Sequence, residues 1–194
     1  MPGCSSWPAA GWPPGPDSPS AVALTLEDSA RLAGGHCWME RRLFELLGGW
    51  VSSTPDPAAK LLFDRHSSHH AWRAGQWWDR LPVLADVDRA ALVEADPVSL
   101  PEVLQSLAEA PATVGRLAGT YRFALPRLWS RYARHLALTN PTSDGSVMRT
   151  LRIARADIEA DWREGEALLQ DRLNDPDLVR CAADTVARLE TGWL

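Results

Sequence analysis

An all-helical fold is what this chain predicts, and three observations carry the expectation. Hardly any stretch alternates apolar and polar residues in the manner of a strand. Apolar residues instead recur every third or fourth position along four long segments. The connections between those segments run short, long, short. That spacing joins two antiparallel hairpins by one crossover into a four-helix bundle.

The first helix is expected from about Thr25 to Trp50, stopping at the Gly48-Gly49 pair. The second begins near Pro57, with Asp56 as N-cap and the proline in the first turn, and ends before Pro82. Residues 82–111 form the crossover, broken by Pro82, Pro97, Pro101 and Pro111, with one short helix over roughly 101–110. The third long helix covers about 112–138, and Pro126 inside it predicts a kink. Asn140 to Gly145 reads as a turn, and the fourth helix follows from about Ser146 to Leu173. Asp175-Pro176 then starts a short fifth helix, to about Glu190. Residues 1–21 are rich in Pro, Gly and Ser and nearly uncharged, the composition of a disordered tail. The helical domain is placed at 22–194.

Bulk properties narrow the function classes. The chain has 194 residues, 45% hydrophobic and 23% charged, a formal charge of −5 and a pI near 5.5. That balance argues against nucleic-acid and anionic-membrane binding, which call for a clustered basic face. Lys60 is the single lysine, so positive charge is almost all arginine, as in a GC-rich bacterial genome. Cys4, Cys37 and Cys181 are odd in number and far apart, which suggests neither a disulfide framework nor a thiolate zinc site. With no signal peptide or apolar run of spanning length, a cytoplasmic location is expected.

Stepping by three and four along each helix places polar groups on the apolar seams. The first helix carries His36 and Glu40, one turn apart. The second carries His66 and His70 from the stretch FDRHSSHHAW, with His69 toward the flank. The third carries both tyrosines of the chain, Tyr121 and Tyr132, with His135 at the margin. The fourth carries Asp161, with Asp157 on the edge and Glu164 further round. Buried charge must be paired, metal-bound or close to water, so polar residues on all four seams favour a functional interior.

The loop pattern, together with Glu40 on the first helix, histidines on the second and acids on the fourth, resembles the ferritin-like superfamily. Stretches such as ERRLFELLGGW, HHAWRAGQWWDRLP and MRTLRIARADIEADWREGEALLQ are similar to small actinobacterial ferritin-like proteins. In di-iron members each half of the bundle supplies a Glu and then a Glu-x-x-His. Glu40 matches the first glutamate, but no Glu-x-x-His occurs; a tyrosine stands where the third-helix glutamate falls, and the fourth helix has no histidine. The motif is therefore degenerate. The expected ligands are His66 and His70 with one or two of Glu40, Asp157 and Asp161, around a reduced Fe or Mn centre, mononuclear or degenerate dinuclear, with Zn also suited to that donor set.

Three functions follow. His36, Tyr121 and Tyr132 are the candidate catalytic side chains across these readings. The first is a metal-dependent oxygenase or oxidase acting on an apolar or aromatic small molecule, in which Tyr121 bonds a bound oxygen species or is itself oxidised. The second is a metal-free acid–base enzyme (a cyclase, dehydratase or isomerase) using His36 or His70, its pocket walled by Trp50, Trp77 and Tyr132. The third is a non-catalytic helical protein whose interior polar groups fix register. Trp38, Trp72 and Trp162 lie off the seams, which predicts packing on the fifth helix, the crossover or the second subunit of a homodimer.

Overall fold

The computed structural model describes residues 24–83, 87–95, 100–110 and 112–193, so the expected tail at 1–21 lies outside the described residues. The regular elements among those residues are all helices, with no strand. The long elements are α1 (Leu26–Ser53), α2 (Pro57–Trp78), a rod made of α4 (Thr113–Ala118), a π segment (Gly119–Ala124) and α5 (Leu125–Leu138), and α6 (Gly145–Arg172). A 3-10 turn (Arg89–Leu92) and α3 (Leu100–Ala108) lie on the crossover, and α7 (Pro176–Trp193) closes the chain.

Helix starts follow the capping chemistry in the sequence. Thr25 Oγ1 accepts from the Asp28 amide, and Asp56 Oδ1 accepts from the amides of Ala58 and Ala59. Asp88 does the same for Ala90 at the 3-10 turn, an element the sequence reading missed. One expected boundary is corrected. Gly48-Gly49 does not end α1, which runs on to Ser53. Two glycines cost a helix only about 1 kcal/mol each, and buried Trp50 anchors the next turn. The stop comes from Pro55, which holds Thr54 in an extended conformation.

Side-chain contacts fix the helix directions. Cys37 bonds the Ala74 carbonyl, Glu40 meets His70, Ser67 bonds the Phe44 carbonyl and Trp50 packs on Phe63, so α1 and α2 are antiparallel. Arg122 with Glu166 and Trp129 with Arg155 make the α4–α5 rod and α6 antiparallel as well. His66 meets Tyr121 while Trp77 meets Tyr132, so α2 and the α4–α5 rod run the same way. Two parallel neighbours in sequence require the connection between them to travel back along their length. The described residues between α2 and α4, including the 3-10 turn and α3, lie on that connection.

Two glycines permit the close approaches. A Cβ on Gly34 would strike the Leu92 carbonyl, so the 3-10 turn rests directly on α1. A Cβ on Gly165 would overlap the Tyr121 ring, so α6 can lie against the π segment only with glycine there. The break expected at Pro126 takes the form of that π segment just ahead of it. Proline has no amide proton and collides with the preceding turn; the wider turn, in which the Leu125 amide bonds the Thr120 carbonyl, absorbs both defects. α7 packs along α3, α4 and the π segment. Trp38 is half-buried against the core, whereas Trp72 and Trp162 are exposed. No helix among the described residues is long and apolar enough to cross a membrane.

Candidate functional site

The seams bring a polar layer into the interior. Glu40, His66, His70, Arg73, Tyr121, Tyr132 and Asp161 are all buried, each next to side chains from other helices. Arg73 is the hub. Its Nε donates to Glu40 Oε1 at 2.9 Å and its Nη1 to Asp161 Oδ2 at 3.0 Å, which ties α1 to α6 through α2. Tyr132 donates to the same Glu40 oxygen at 2.5 Å, and the Trp77 indole donates to Tyr132 at 2.9 Å. Burial pushes the Glu40 carboxyl up, but the Arg73 charge and the His70 and Tyr132 bonds outweigh it and hold Glu40 below the usual carboxylate range. Asp161 is held low in the same way, by Arg73, His66 and His69 against burial.

His70 Nδ1 lies against Glu40 Oε2 and 3.0 Å from Arg73 Nη2. One nitrogen cannot donate to the carboxylate and accept from the guanidinium together. The charge-assisted carboxylate contact is the stronger, so we assign the proton to Nδ1. His70 Nε2 is then a buried acceptor, and it has no partner among the described residues. Burial lowers the His70 pKa, with the Arg73 charge adding to it, so the ring is neutral near pH 7.

A second cluster lies between α2 and α6. His66 Nε2 is 3.1 Å from Glu164 Oε2 and 3.6 Å from Asp161 Oδ1, and His69 Nδ1 is 2.7 Å from that same Asp161 oxygen. The ligand atoms of His66, His69 and Asp161 all lie within 4.8 Å of one another. Behind them, Tyr121 bonds His66 Nδ1 at 2.8 Å. Burial keeps the Tyr121 hydroxyl protonated, so it donates, Nδ1 accepts and Nε2 faces the carboxylates. Arg65 pairs with Glu164 at the rim. The His69 and Glu164 side chains are 42% and 49% exposed, so this cluster reaches solvent, whereas the Glu40–His70 pair is sealed.

The five expected ligands are thus brought into one layer but divided between two places. Glu40 and His70 pair on one side of Arg73, and His66 and Asp161 lie on the other. Asp157, half-buried, stands 3.9 Å from Arg73 Nη1, and burial raises its carboxyl. The guanidinium occupies the space a single ion shared by Glu40 and Asp161 would need. The donor set that fits one ion is His66, His69 and Asp161, with Glu164 beside it. Ligands about 2.1 Å from an ion sit about 3 Å apart when adjacent, close to the 2.7 and 3.6 Å found here.

Of the expected catalytic side chains, Tyr121 and Tyr132 bond His66 and Glu40 respectively. His36 is elsewhere, 3.0 Å from His135 and packed on Trp77 and Tyr132. The expected pocket wall of Trp50, Trp77 and Tyr132 does not form. Trp50 packs on Phe63 and Trp77 on His36, and 36 to 50 is about 21 Å along a helix. Beside Arg73 and Trp77 there is a cavity of only about 10 Å³, room for one water. Sequence reasoning missed Arg73, although it lies three residues beyond His70 and seven beyond His66, on the same stripe. An arginine on an apolar stripe facing acids on two other helices was the available signal.

Comparison with protein-family models, with curated proteins and with solved structures finds no match to this chain.

Proposed function

We propose that the protein is a metal-dependent enzyme, holding one divalent ion, Fe or Mn, through His66, His69 and Asp161 with Glu164 adjacent. The observation that carries this reading is the approach of two imidazole nitrogens and a carboxylate oxygen to within 4.8 Å at a half-exposed position. Two histidines and one carboxylate are the donor set of mononuclear non-haem iron sites that keep positions open for substrate and dioxygen. A supporting shell stands behind these groups: Arg73 fixes Asp161, and binding an ion would move the His66 proton to Nδ1, where the Tyr121 oxygen accepts it and leaves Nε2 free as a ligand. Charge favours it too. One guanidinium faces two buried carboxylates, which leaves the layer one positive charge short before Asp157 and Glu164 are counted. The bound ion would supply a Lewis acid or one-electron redox partner for a small molecule held at the α2–α6 rim. A ferritin-like classification agrees with the parallel course of α2 and the α4–α5 rod.

Equilibrium titration with Mn(II), and with Fe(II) under anaerobic conditions, tests this. One ion per chain is expected, with affinity at least tenfold weaker in His69→Ala, a half-exposed position where the fold is retained. Equal binding by His69→Ala and the parent, or none at all, would remove the site. Dioxygen uptake by the Fe(II) form then distinguishes a redox enzyme from a hydrolytic or structural metal site.

A further inference from the structure

Away from the metal layer, α1, α5 and α7 enclose a cavity of about 410 Å³ whose chemistry points to a ligand of a different kind. That size is within the usual range for small-molecule sites, about 300–1,000 Å³. Leu32, Leu138 and the Trp193 indole form its apolar walls, Arg131 and Arg134 line it, and His36 and His135 complete the lining from buried positions. No acidic side chain is among these residues. Arg134 is exposed and makes no hydrogen bond or ion pair among the described residues, and His135 Nε2 is buried and unpartnered.

We propose that this cavity binds a small organic anion with an aromatic body, such as an aromatic carboxylate. Arg134 supplies the charge that recognises the carboxylate at the mouth. His135 supplies a neutral N–H at the floor, and Trp193 with the two leucines covers the ring. The imidazole pair makes that donor available. His36 and His135 share one hydrogen bond between Nε2 and Nδ1. With both rings neutral that bond allows two tautomers, and a ligand carboxylate selects the one in which His36 donates and His135 carries its remaining proton on Nε2, the orphaned atom. Burial lowers both pKa values, His135 to about 4, so the rings are neutral near pH 7. An acceptor that reaches His135 Nε2 satisfies a buried donor that is otherwise unpaired, a gain that requires the lining around this sealed atom to part. The carboxylate is preferred over a bare inorganic anion because Leu32, Leu138 and Trp193, three of the seven lining residues, would stay wet around phosphate.

Titration of the full chain with benzoate, followed by calorimetry or ligand-observed NMR, tests the assignment, with benzamide and inorganic phosphate as comparisons. Benzoate is expected to bind saturably with a Kd of about 0.1–1 mM, an affinity appropriate to so few atoms. Benzamide and phosphate should each be at least about tenfold weaker, the share of one charge-assisted bond. Arg134→Gln, at an exposed and unpaired position, should weaken benzoate about tenfold, and His135→Gln should do likewise. Absence of saturable benzoate binding, phosphate binding as tight as benzoate, or Arg134→Gln binding benzoate like the parent would each overturn it. Metal titration of the same variants should be unchanged, so the two sites can fail separately.

Discussion

Arg73 is the residue on which the interior depends. Its guanidinium has no solvent exposure and bonds Glu40 and Asp161 from two other helices. Removing one partner of a buried ion pair leaves uncompensated charge, and Arg73→Met is expected to destabilise by about 3–5 kcal/mol. Urea unfolding at constant slope measures this. Adding Glu40→Gln and Asp161→Asn to the Met variant should return part of the loss, because neutral amides no longer need the cation; a loss under about 1 kcal/mol in Arg73→Met would contradict the hub role. Tyr132→Phe is gentler. It leaves the Trp77 indole N–H unpaired and Glu40 short of one donor, a cost of about 1–3 kcal/mol. Much of this layer was legible from spacing, since Glu40, His66, His70, Tyr121, Tyr132 and Asp161 all lie on the traced seams. Arg73 was not read because a long cationic side chain normally runs its head out to water, and neighbouring Ala74 filled the same step of the stripe.

At the scale of elements, the π segment is the most informative. It places Tyr121 where its hydroxyl reaches His66, and α6 admits the ring only because Gly165 has no side chain. Gly165→Ala should therefore lower stability by about 1–3 kcal/mol despite the better helix propensity of alanine. Combining it with Tyr121→Leu, which removes the part of the ring that collides, should recover most of that loss in thermal unfolding. If Gly165→Ala alone raises the Tm, the contact does not hold α6 in place. The sequence showed that Pro126 must disturb the third long helix but not how. The defect takes the form of a widened turn, and Gly165 on α6 leaves the room that the Tyr121 ring on that turn requires. The glycine pair in α1 carried the converse lesson. Local propensity there was overruled by the burial of Trp50 and by a stronger stop at Pro55.

For the molecule as a whole, the buried titratable groups set the response to acid. His36, His66, His70 and His135 are all depressed by burial, so the unfolded chain binds protons at a pH where the folded chain does not. Stability must then fall as pH drops from about 6.5 toward 4, and a shift to about 4 at His135 alone is worth roughly 3 kcal/mol across that window. Glu40 and Asp161, also depressed, stabilise above their unfolded pKa values and lose that contribution as pH falls through the folded ones, which extends the loss below about pH 4.5. Asp157, raised by burial, works weakly the other way. Urea midpoints between pH 7.5 and 4 check the sign. A midpoint that stays level down to pH 5 would show that the histidines are not buried as described. His36→Phe with His135→Phe should flatten the upper part of the curve.

The direction and inner faces of the four long helical rods were determined by the sequence alone, because a 3.6-residue period, caps and loop lengths are local properties that each segment carries with it. That period turned His66 and His70 inward and put Glu40 and Asp161 across from them. Tertiary structure alone decided which of these groups meet. Contact across helices depends on side-chain reach and relative height, and neither is encoded in the phase of one helix. Arg73 is long enough to span from α1 to α6, so it separates Glu40 from Asp161. His69 and Glu164, half-exposed on facing edges of α2 and α6, fall at the same height and complete the cluster that faces solvent.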